Sequence, residues 1–326
     1  MMSYDILPMI SFIIPCYYSE LTLKSVIEEI QEAIEGHYRY EIILINDGSK
    51  DHTMDVIKTM CDTSKHIKGI SFTRNFGQHS AIMAGYRYAK GDIIITVDDD
   101  GQIPVNECIK LIRPLVEEDY DIAIARYEQK KQSLFKNFGS KLNDKMAEFL
   151  LSKPKELYFS SFVAAKRYII DEIIRYENPY PYLGGLILRT TYNIKNVDVT
   201  HRERRIGKST YSLGKLIGLW INGFTAFSVK PLRVGSIMGV FLAIIGAIYA
   251  IYIVINKLLT PEISLGWSSM MATQLIIGGA ILSVLGLIGE YIGRIYICMN
   301  NSPQYVVKEL INIESECIKN AIQKRA

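Results

Sequence analysis

Three adjacent aspartates, followed by a glycine and a glutamine, are the residues of this chain best suited to chemistry. The segment Asp98-Asp99-Asp100-Gly101-Gln102 comes directly after an apolar run at residues 93–97. If the backbone stays extended, Asp98 and Asp100 point to one side and Asp99 to the other. Carboxylates and an amide carbonyl are hard oxygen ligands, so Asp98, Asp100 and Gln102 predict a Mg²⁺ or Mn²⁺ site that also binds substrate phosphates. A capping or solvated acidic turn is the structural alternative.

Alternating strand and helix patterns surround this cluster and must position it. Apolar runs predict buried strands at residues 10–14, 41–45, 67–72, 92–97 and 121–125. Helical spacing predicts helices at residues 21–34, 53–60, 80–89 and 104–117. This alternation is typical of a parallel α/β sheet covered by helices, in which ligands bind beyond the carboxyl ends of the strands. We therefore expect Pro15, Asp47 and Asp98 to converge.

Two long apolar stretches indicate a membrane hairpin in the second half of the chain. Residues 234–255 and 267–288 carry no charge. At about 1.5 Å per residue, 22 helical residues extend about 33 Å, enough to cross a hydrocarbon core of about 30 Å. Two buried helices of a soluble protein are the alternative. Glu290 and Arg294, four residues apart just beyond the second stretch, could pair on one helix face.

The distribution of charge indicates which side of the membrane the rest of the chain occupies. The formal net charge of +3 is too small to argue for nucleic acid. Residues 201–233, which precede the first apolar stretch, carry seven Lys or Arg against one acid. The positive-inside rule then places both termini in the cytoplasm. No basic region followed by a long apolar run begins the chain, so no signal peptide is expected. The scattered cysteines contain no CxxC pair, which argues against a zinc or redox motif.

These observations divide the chain into four parts. We predict a cytoplasmic catalytic domain at residues 1–210, an interfacial amphipathic helix region at 211–232 and a two-helix transmembrane hairpin at 233–296. A cytoplasmic tail, with a short amphipathic helix in residues 303–326, completes the chain. The apolar stripe of residues 211–227 fits either the membrane interface or a protein core, and could support homo-oligomers.

Several motifs in a fixed order resemble one family over nearly the whole chain. They are Pro15-Cys16-Tyr17, Asn46-Asp47-Gly48-Ser49, Arg74-Asn75-Phe76-Gly77, the segment 98–102, the segments 204–211 and 230–233, and Gly289-Glu290-Tyr291-Ile292-Gly293-Arg294. This combination resembles the GT-A-fold family 2 glycosyltransferases, within them the polyprenyl-phosphate (undecaprenyl- or dolichyl-phosphate) glycosyltransferases. The bacterial members have two C-terminal membrane helices. The resemblance implies a GT-A, Rossmann-like domain followed by interfacial helices and the hairpin.

The resemblance also implies roles for individual residues. Pro15, Tyr17 and Asp47, with Glu20 nearby, would hold the nucleotide base and ribose. Asp98 would contact the nucleotide-sugar and the metal, and Asp100 and Gln102 would complete the metal site. The acceptor phosphate would be bound by Arg126, Arg204, Lys208 and Ser209. Attraction to anionic lipid headgroups is the alternative for the basic residues.

Three positions depart from the family pattern. The common Tyr-Asn-Glu after the first strand is Tyr17-Tyr18-Ser19, with Glu20 one place later. A Gly-Asp-Phe-Arg-like motif is Ser160-Ser161-Phe162-Val163, so a carboxylate is missing there. Thr210 stands where a lysine is common. The second departure is compatible with catalysis, because a phosphate monoester with a second pKa of about 6 is largely a dianion at neutral pH and needs no general base.

The resulting hypothesis is a metal-dependent inverting transfer of a sugar from a nucleotide-diphosphate sugar, with UDP favoured, to polyprenyl phosphate. The reaction would occur at the cytoplasmic face of the inner membrane and supply surface glycan or lipid modification. A transferase with a different lipid or protein acceptor and a catalytically degenerate membrane scaffold remain alternatives. A processive polysaccharide synthase is disfavoured, because no QxxRW motif is present.

Overall fold

The structure, a computed structural model, describes residues 7–127, 148, 153–200, 230–259, 266–300 and 302–313. The chain divides into two compact units. One comprises Met1–Ile217 together with Ser302–Ala326, and the other comprises Gly218–Asn301. Arg204, Lys208 and Ser209, the basic stretch that follows Arg126 and the predicted helix at 211–227 lie outside the described residues.

A mixed sheet of eight strands organises the first unit, in the order β7-β5-β6-β4-β1-β2-β3-β8. Its strands are β1 (Ile10–Cys16), β2 (Tyr40–Asn46), β3 (Ile67–Phe72), β4 (Ile93–Thr96), β5 (Ile122–Tyr127), β6 (Val163–Lys166), β7 (Ile194–Val199) and β8 (Val307–Ile311). Strands β1 to β4 pair in parallel, which confirms the predicted parallel core. Strand β6 is antiparallel to both β4 and β5, so β5 again runs parallel to the core, and β7 pairs with it in parallel.

Helices cover the sheet and bury the predicted apolar stripes. They are α1 (Leu23–Ile34), α2 (Thr53–Thr63), α3 (Gln78–Tyr88), α4 (Cys108–Glu117), α5 (Arg167–Ile173) and α6 (Leu183–Thr190). In α1 the buried side chains recur at helical spacing, and they join one core cluster with β1, β2 and β4. The predicted helix at 104–117 begins later than expected, because Val105–Glu107 forms a 3₁₀ turn before α4.

The C-terminal segment differs from its prediction. A helix was expected within residues 303–326, but Val307–Ile311 forms strand β8, antiparallel to β3 at the edge of the sheet. The register pairs Ile311 with Gly69 and Val307 with Phe72. The helix prediction was wrong for Val307–Ile311, because the partner strand lies more than two hundred residues earlier and a local sequence pattern does not reveal it. The rest of the predicted helix, at residues 314–326, lies outside the described residues.

The second unit contains two long apolar helices, α7 (Lys230–Leu259) and α8 (Trp267–Met299). Both are long and apolar enough to cross a membrane, with the most suitable windows at Leu232–Tyr249 and Ile276–Met299. The second window extends further toward the C-terminus than the predicted 267–288. The expected pair on one helix face is confirmed, since Arg294 Nη2 lies 2.8 Å from Glu290 Oε1.

Candidate active site

The carboxyl ends of β1, β2 and β4 converge, as the strand pattern predicted. Asp47, directly after β2, donates its backbone N–H to the Cys16 carbonyl at 3.0 Å. Tyr17, directly after β1, donates its backbone N–H to Asp99 Oδ2 at 2.9 Å. Two segments that are more than eighty residues apart in sequence therefore form one surface at this edge of the sheet, with the acidic cluster in it.

The acidic cluster is a turn and not an extended segment. Strand β4 ends at Thr96, Asp99 and Asp100 lie in a turn, and Gly101 has a φ of +70°. The predicted alternation of side chains therefore does not continue past the strand. Asp98 and Asp99 nevertheless bind different partners, and the Gln102 backbone N–H donates to Asp100 Oδ1 at 3.0 Å.

Asp98 is held by two side chains that the sequence prediction of the site did not include. Gln78 Nε2 donates to Asp98 Oδ1 at 2.8 Å, and Ser161 Oγ donates to Oδ2. Burial raises the pKa of Asp98 to about 6, and the neighbouring carboxylates of Asp100 and Asp99 add to this effect. The two hydrogen bonds act in the opposite direction, because they stabilise the ionised form.

Asp99 joins the acidic turn to the segment after β1. Its Oδ2 accepts hydrogen bonds from the Tyr17 backbone N–H and from Ser19 Oγ, and its carbonyl accepts one from Thr22 Oγ1 at 2.6 Å. Burial raises the pKa of Asp99, and the bond from Ser19 lowers it. Ser19 and Ser161 are the two serines singled out as departures from the family pattern. Their departure from the family pattern is the sequence signal that could have identified them as site residues. In the structure, each serine hydroxyl donates to an aspartate of this turn.

The donor set of the turn fits a hard divalent cation. Among the residues that the structure describes, no three His, Cys, Asp or Glu side chains converge as a metal cluster. Mg²⁺ is usually held by one or two carboxylates, with substrate phosphates and water supplying the other ligands. Two carboxylates of the turn, from Asp98 and Asp100, and the Gln102 amide therefore match the chemistry of a cation that arrives with a diphosphate.

Asp47 holds the loop between β3 and α3. Its Oδ1 accepts the Phe76 backbone N–H at 2.7 Å, and its Oδ2 accepts that of Gly77 at 2.9 Å. Burial raises the pKa of Asp47 to about 6 although both bonds lower it. Gly48, with a φ of +67°, allows the same loop to approach, because a Cβ there would lie 2.5 Å from the Arg74 carbonyl carbon.

The residues after β1 include two exposed tyrosine rings and a glutamate that binds the start of α2. Tyr17 and Tyr18 are about half exposed, and their ring centroids lie 4.7 Å apart in an edge-on arrangement. Tyr18 has a φ of +58°, a left-handed conformation that is uncommon for a bulky residue and is found at functional sites. Glu20, predicted to approach the nucleotide, accepts the His52 backbone N–H at 2.8 Å at the start of α2. Pro15 lies within β1, paired with Ile45.

Arg126 lies at the end of β5 and binds Asp198 of β7. Its Nε and Nη2 donate to the two carboxylate oxygens at 2.6 and 2.9 Å, a bidentate pair in which both side chains are at least half exposed. The hydrogen bond to Asp198 raises the pKa of Arg126, so the guanidinium stays charged. The predicted role of Arg126 toward the acceptor phosphate stays a prediction.

Comparison with known proteins gives the family of this chain. Residues 11–174 match the model of glycosyl transferase family 2, and residues 230–295 match the GtrB C-terminal hairpin. The chain belongs to glycosyltransferase family 2 and has a C-terminal hairpin of the GtrB type.

Characterised and uncharacterised relatives match nearly the whole chain. The uncharacterized glycosyltransferase YkcC of Bacillus subtilis is 31% identical over 308 residues, which cover 94% of this chain and 95% of the relative. The undecaprenyl-phosphate 4-deoxy-4-formamido-L-arabinose transferase of Proteus mirabilis is 32% identical over 321 residues, which cover 96% of this chain and 97% of the relative. The expected family is thereby confirmed.

A solved structure supports the fold. Glucosyl-3-phosphoglycerate synthase from Mycobacterium tuberculosis, in complex with Mn²⁺, UDP and phosphoglyceric acid, superimposes with a TM-score of 0.53 at 20% identity. The match covers 67% of this chain and 76% of that protein. This similarity confirms the predicted GT-A class of fold.

Proposed function

We propose that this enzyme transfers a sugar from a nucleotide-diphosphate sugar, UDP-linked in the favoured case, to polyprenyl phosphate with inversion at the anomeric carbon. One observation carries the proposal: a GT-A acidic turn and a GtrB-type hairpin occur in one chain that aligns almost end to end with undecaprenyl-phosphate sugar transferases. Because this chain has the same domain organisation as those relatives, we expect it to use the same acceptor.

The chemistry proposed for the acceptor needs no general base. A phosphate monoester is largely a dianion at neutral pH. Its oxygen attacks the anomeric carbon, the bond from that carbon to the diphosphate oxygen breaks, and the nucleoside diphosphate leaves with the electron pair. Ser161, which donates to Asp98, supplies no carboxylate at the position where the family pattern has one. This geometry favours direct attack over base-assisted attack.

The donor would be held by residues from three strand ends. Asp98, Asp100 and Gln102 would bind Mg²⁺ or Mn²⁺, which supplies charge neutralisation for the departing diphosphate. Tyr17, with its half-exposed ring, and Asp47 would contact the nucleoside beside Pro15. Glu20 would act on this region through its bond to the His52 backbone.

The acceptor would be positioned by basic residues. Arg126 would orient the lipid phosphate, and Arg204, Lys208 and Ser209 would bind it near the membrane. In this arrangement the exposed pair with Asp198 would open when the phosphate binds. The charge of Arg126 is already compensated in the free enzyme, so the exchange of one anionic partner for another costs little.

The proposed location is the inner membrane of a bacterium, with the catalytic domain and both termini in the cytoplasm. The apolar helices α7 and α8 would form the hairpin, and the basic residues before α7 would stay at the cytoplasmic face. The interfacial helix region at 211–232 would follow the catalytic domain and precede the hairpin in the sequence. The apolar stripe of this region would allow the protein to self-associate.

An assay of the full chain in detergent tests the proposal. The protein is incubated with undecaprenyl phosphate, Mg²⁺ or Mn²⁺ and a panel of UDP- and GDP-sugars, and the lipid product is read by mass spectrometry. We expect a metal-dependent glycosyl phospholipid from one donor, absent in Asp100→Asn. If the nucleoside diphosphate is released and the sugar appears on another acceptor, that acceptor would replace polyprenyl phosphate in the proposal. Nucleotide binding without sugar transfer would favour the scaffold.

A further inference from the structure

The loop between β3 and α3 is held on one side by the nucleotide-binding residues of the proposed site. The Phe76 and Gly77 backbone N–H groups donate to the two carboxylate oxygens of Asp47. The main chain at Arg74 and Asn75 lies so close to Gly48 that a Cβ at that glycine would meet both residues within 2.6 Å. The position of this loop and the position of the Asp47 carboxylate are therefore coupled.

The other side of the same loop is held by the chain that follows the second apolar helix. Thr73 donates its backbone N–H to the Val306 carbonyl at 3.1 Å. The Tyr305 ring, which is 4% exposed, stacks on Phe72 with centroids 5.1 Å apart and an angle of 10° between planes. Phe72 in turn meets the edge of the Phe76 ring at 5.7 Å. A continuous aromatic contact thus runs from Tyr305 to the residue whose N–H binds Asp47.

Tyr305 is anchored by its neighbours on both sides along the chain. Gln304, also buried, donates Nε2 to the Tyr176 carbonyl at 3.2 Å and to the Asn178 carbonyl at 2.9 Å. Strand β8 begins two residues after Tyr305, and its pairing with β3 continues to Ile311. A ring held between two anchored segments can transmit its position to its neighbours, because packed interiors deform little.

We propose that Tyr305 is a positioning residue for the nucleotide side of the site, acting through Phe72 and the 73–77 loop on Asp47. The C-terminal segment is then a part of the donor site and more than a tail. The assignment of Asp47 to the nucleotide rests on the proposed function. The effect of Tyr305 on the loop does not, so the two parts can be tested separately.

Three variants separate positioning from general stability. Tyr305→Ala removes the ring, and Tyr305→Phe retains it. Ile311→Ala is the matched control, because it removes apolar contact from the same C-terminal segment, at the end of β8 that pairs with Gly69, away from the loop. Hydrogen exchange of the full chain in detergent reports the loop without any ligand. The dissociation constant of UDP with Mn²⁺, and the KM values of donor and undecaprenyl phosphate, report the site.

We expect Tyr305→Ala to speed exchange of the Phe76 and Gly77 amides and to weaken UDP binding about tenfold, with the acceptor KM unchanged. Tyr305→Phe should restore both readouts, and Ile311→Ala should change neither. Equal exchange at these amides in all variants would overturn the proposal, as would a Tyr305→Ala effect matched by Ile311→Ala. If the unmodified chain binds no UDP, the donor assignment fails, while the exchange result still decides the role of Tyr305.

Discussion

The pH dependence of stability should reveal the buried carboxyl of Asp47. This side chain is 3% exposed, and burial raises its pKa from 3.8 to about 6. The folded protein therefore binds this proton more tightly than the unfolded chain does. The resulting stabilisation is present below about pH 4 and is lost as the pH rises through about 6. Asp47→Asn removes the titration, so its stability should not show this loss.

The magnitude follows from the size of the shift. A difference of about two pKa units corresponds to about 3 kcal/mol in total, of which about 1.5 kcal/mol falls between pH 5 and pH 8. For a domain of this size that is a relative change of about 3–6 °C in melting temperature. The amide also has one acceptor oxygen for two backbone donors, Phe76 and Gly77. This adds a loss of about 1–3 kcal/mol that does not depend on pH.

Thermal melting of the full chain in detergent, from pH 5 to pH 8, measures the difference. Asp47→Asn should be the less stable protein at pH 5, and the gap to the unmodified protein should narrow as the pH rises. Asp198→Asn is the matched control. Its pKa is lowered by the hydrogen bond from Arg126, so it titrates below this range and its gap should stay constant. Parallel curves for Asp47→Asn and the unmodified protein would refute the burial argument.

Three further outcomes follow from the site geometry. Asp100→Asn should reduce turnover about 100-fold or more with an unchanged melting temperature, and an active, folded Asp100→Asn enzyme would exclude the metal role. Chelation should remove turnover of the unmodified enzyme, and added Mn²⁺ should restore it. Gly48→Ala should destabilise the protein by about 1–3 kcal/mol more than Gly101→Ala in thermal melts, because both have positive φ but only Gly48 has a neighbour within 4 Å. Ser161→Asp should lower turnover and Mn²⁺ affinity more than Ser161→Ala, and higher turnover in Ser161→Asp would instead indicate a missing base.

Much of the catalytic sheet could be predicted because its information is local. The apolar runs that became β1 to β5 are short, buried on both faces and separated by helical stripes, a pattern that only a parallel α/β sheet explains. The convergence of Asp47 and the acidic turn then followed from the rule that parallel strands end at one edge. The two long apolar helices could be predicted equally well, since their length and hydropathy mark them as candidate membrane spans.

The features that escaped prediction depend on distant partners. Strand β8 pairs with β3 across more than two hundred residues. Its sequence has the adjacent charges of Lys308 and Glu309 between apolar residues, which fits an edge strand or a helix. Gln78 was not among the predicted site residues, because only the fold brings it to Asp98. Ser161 was visible as an anomaly of the pattern, but its partner could not be read from its neighbours in sequence.

The two serines that depart from the family pattern share one electrostatic consequence. Ser19 donates to Asp99 and Ser161 donates to Asp98, so both hydroxyls act on carboxyl groups whose pKa burial raises. A carboxylate at either position would add a like charge to the turn and raise these pKa values further. A hydroxyl instead stabilises the ionised aspartates that a divalent cation requires. An acceptor that is already a dianion needs no general base, so the missing carboxylate at Ser161 is consistent with transfer to a phosphate. The hydroxyl of Ser19 is consistent with it as well.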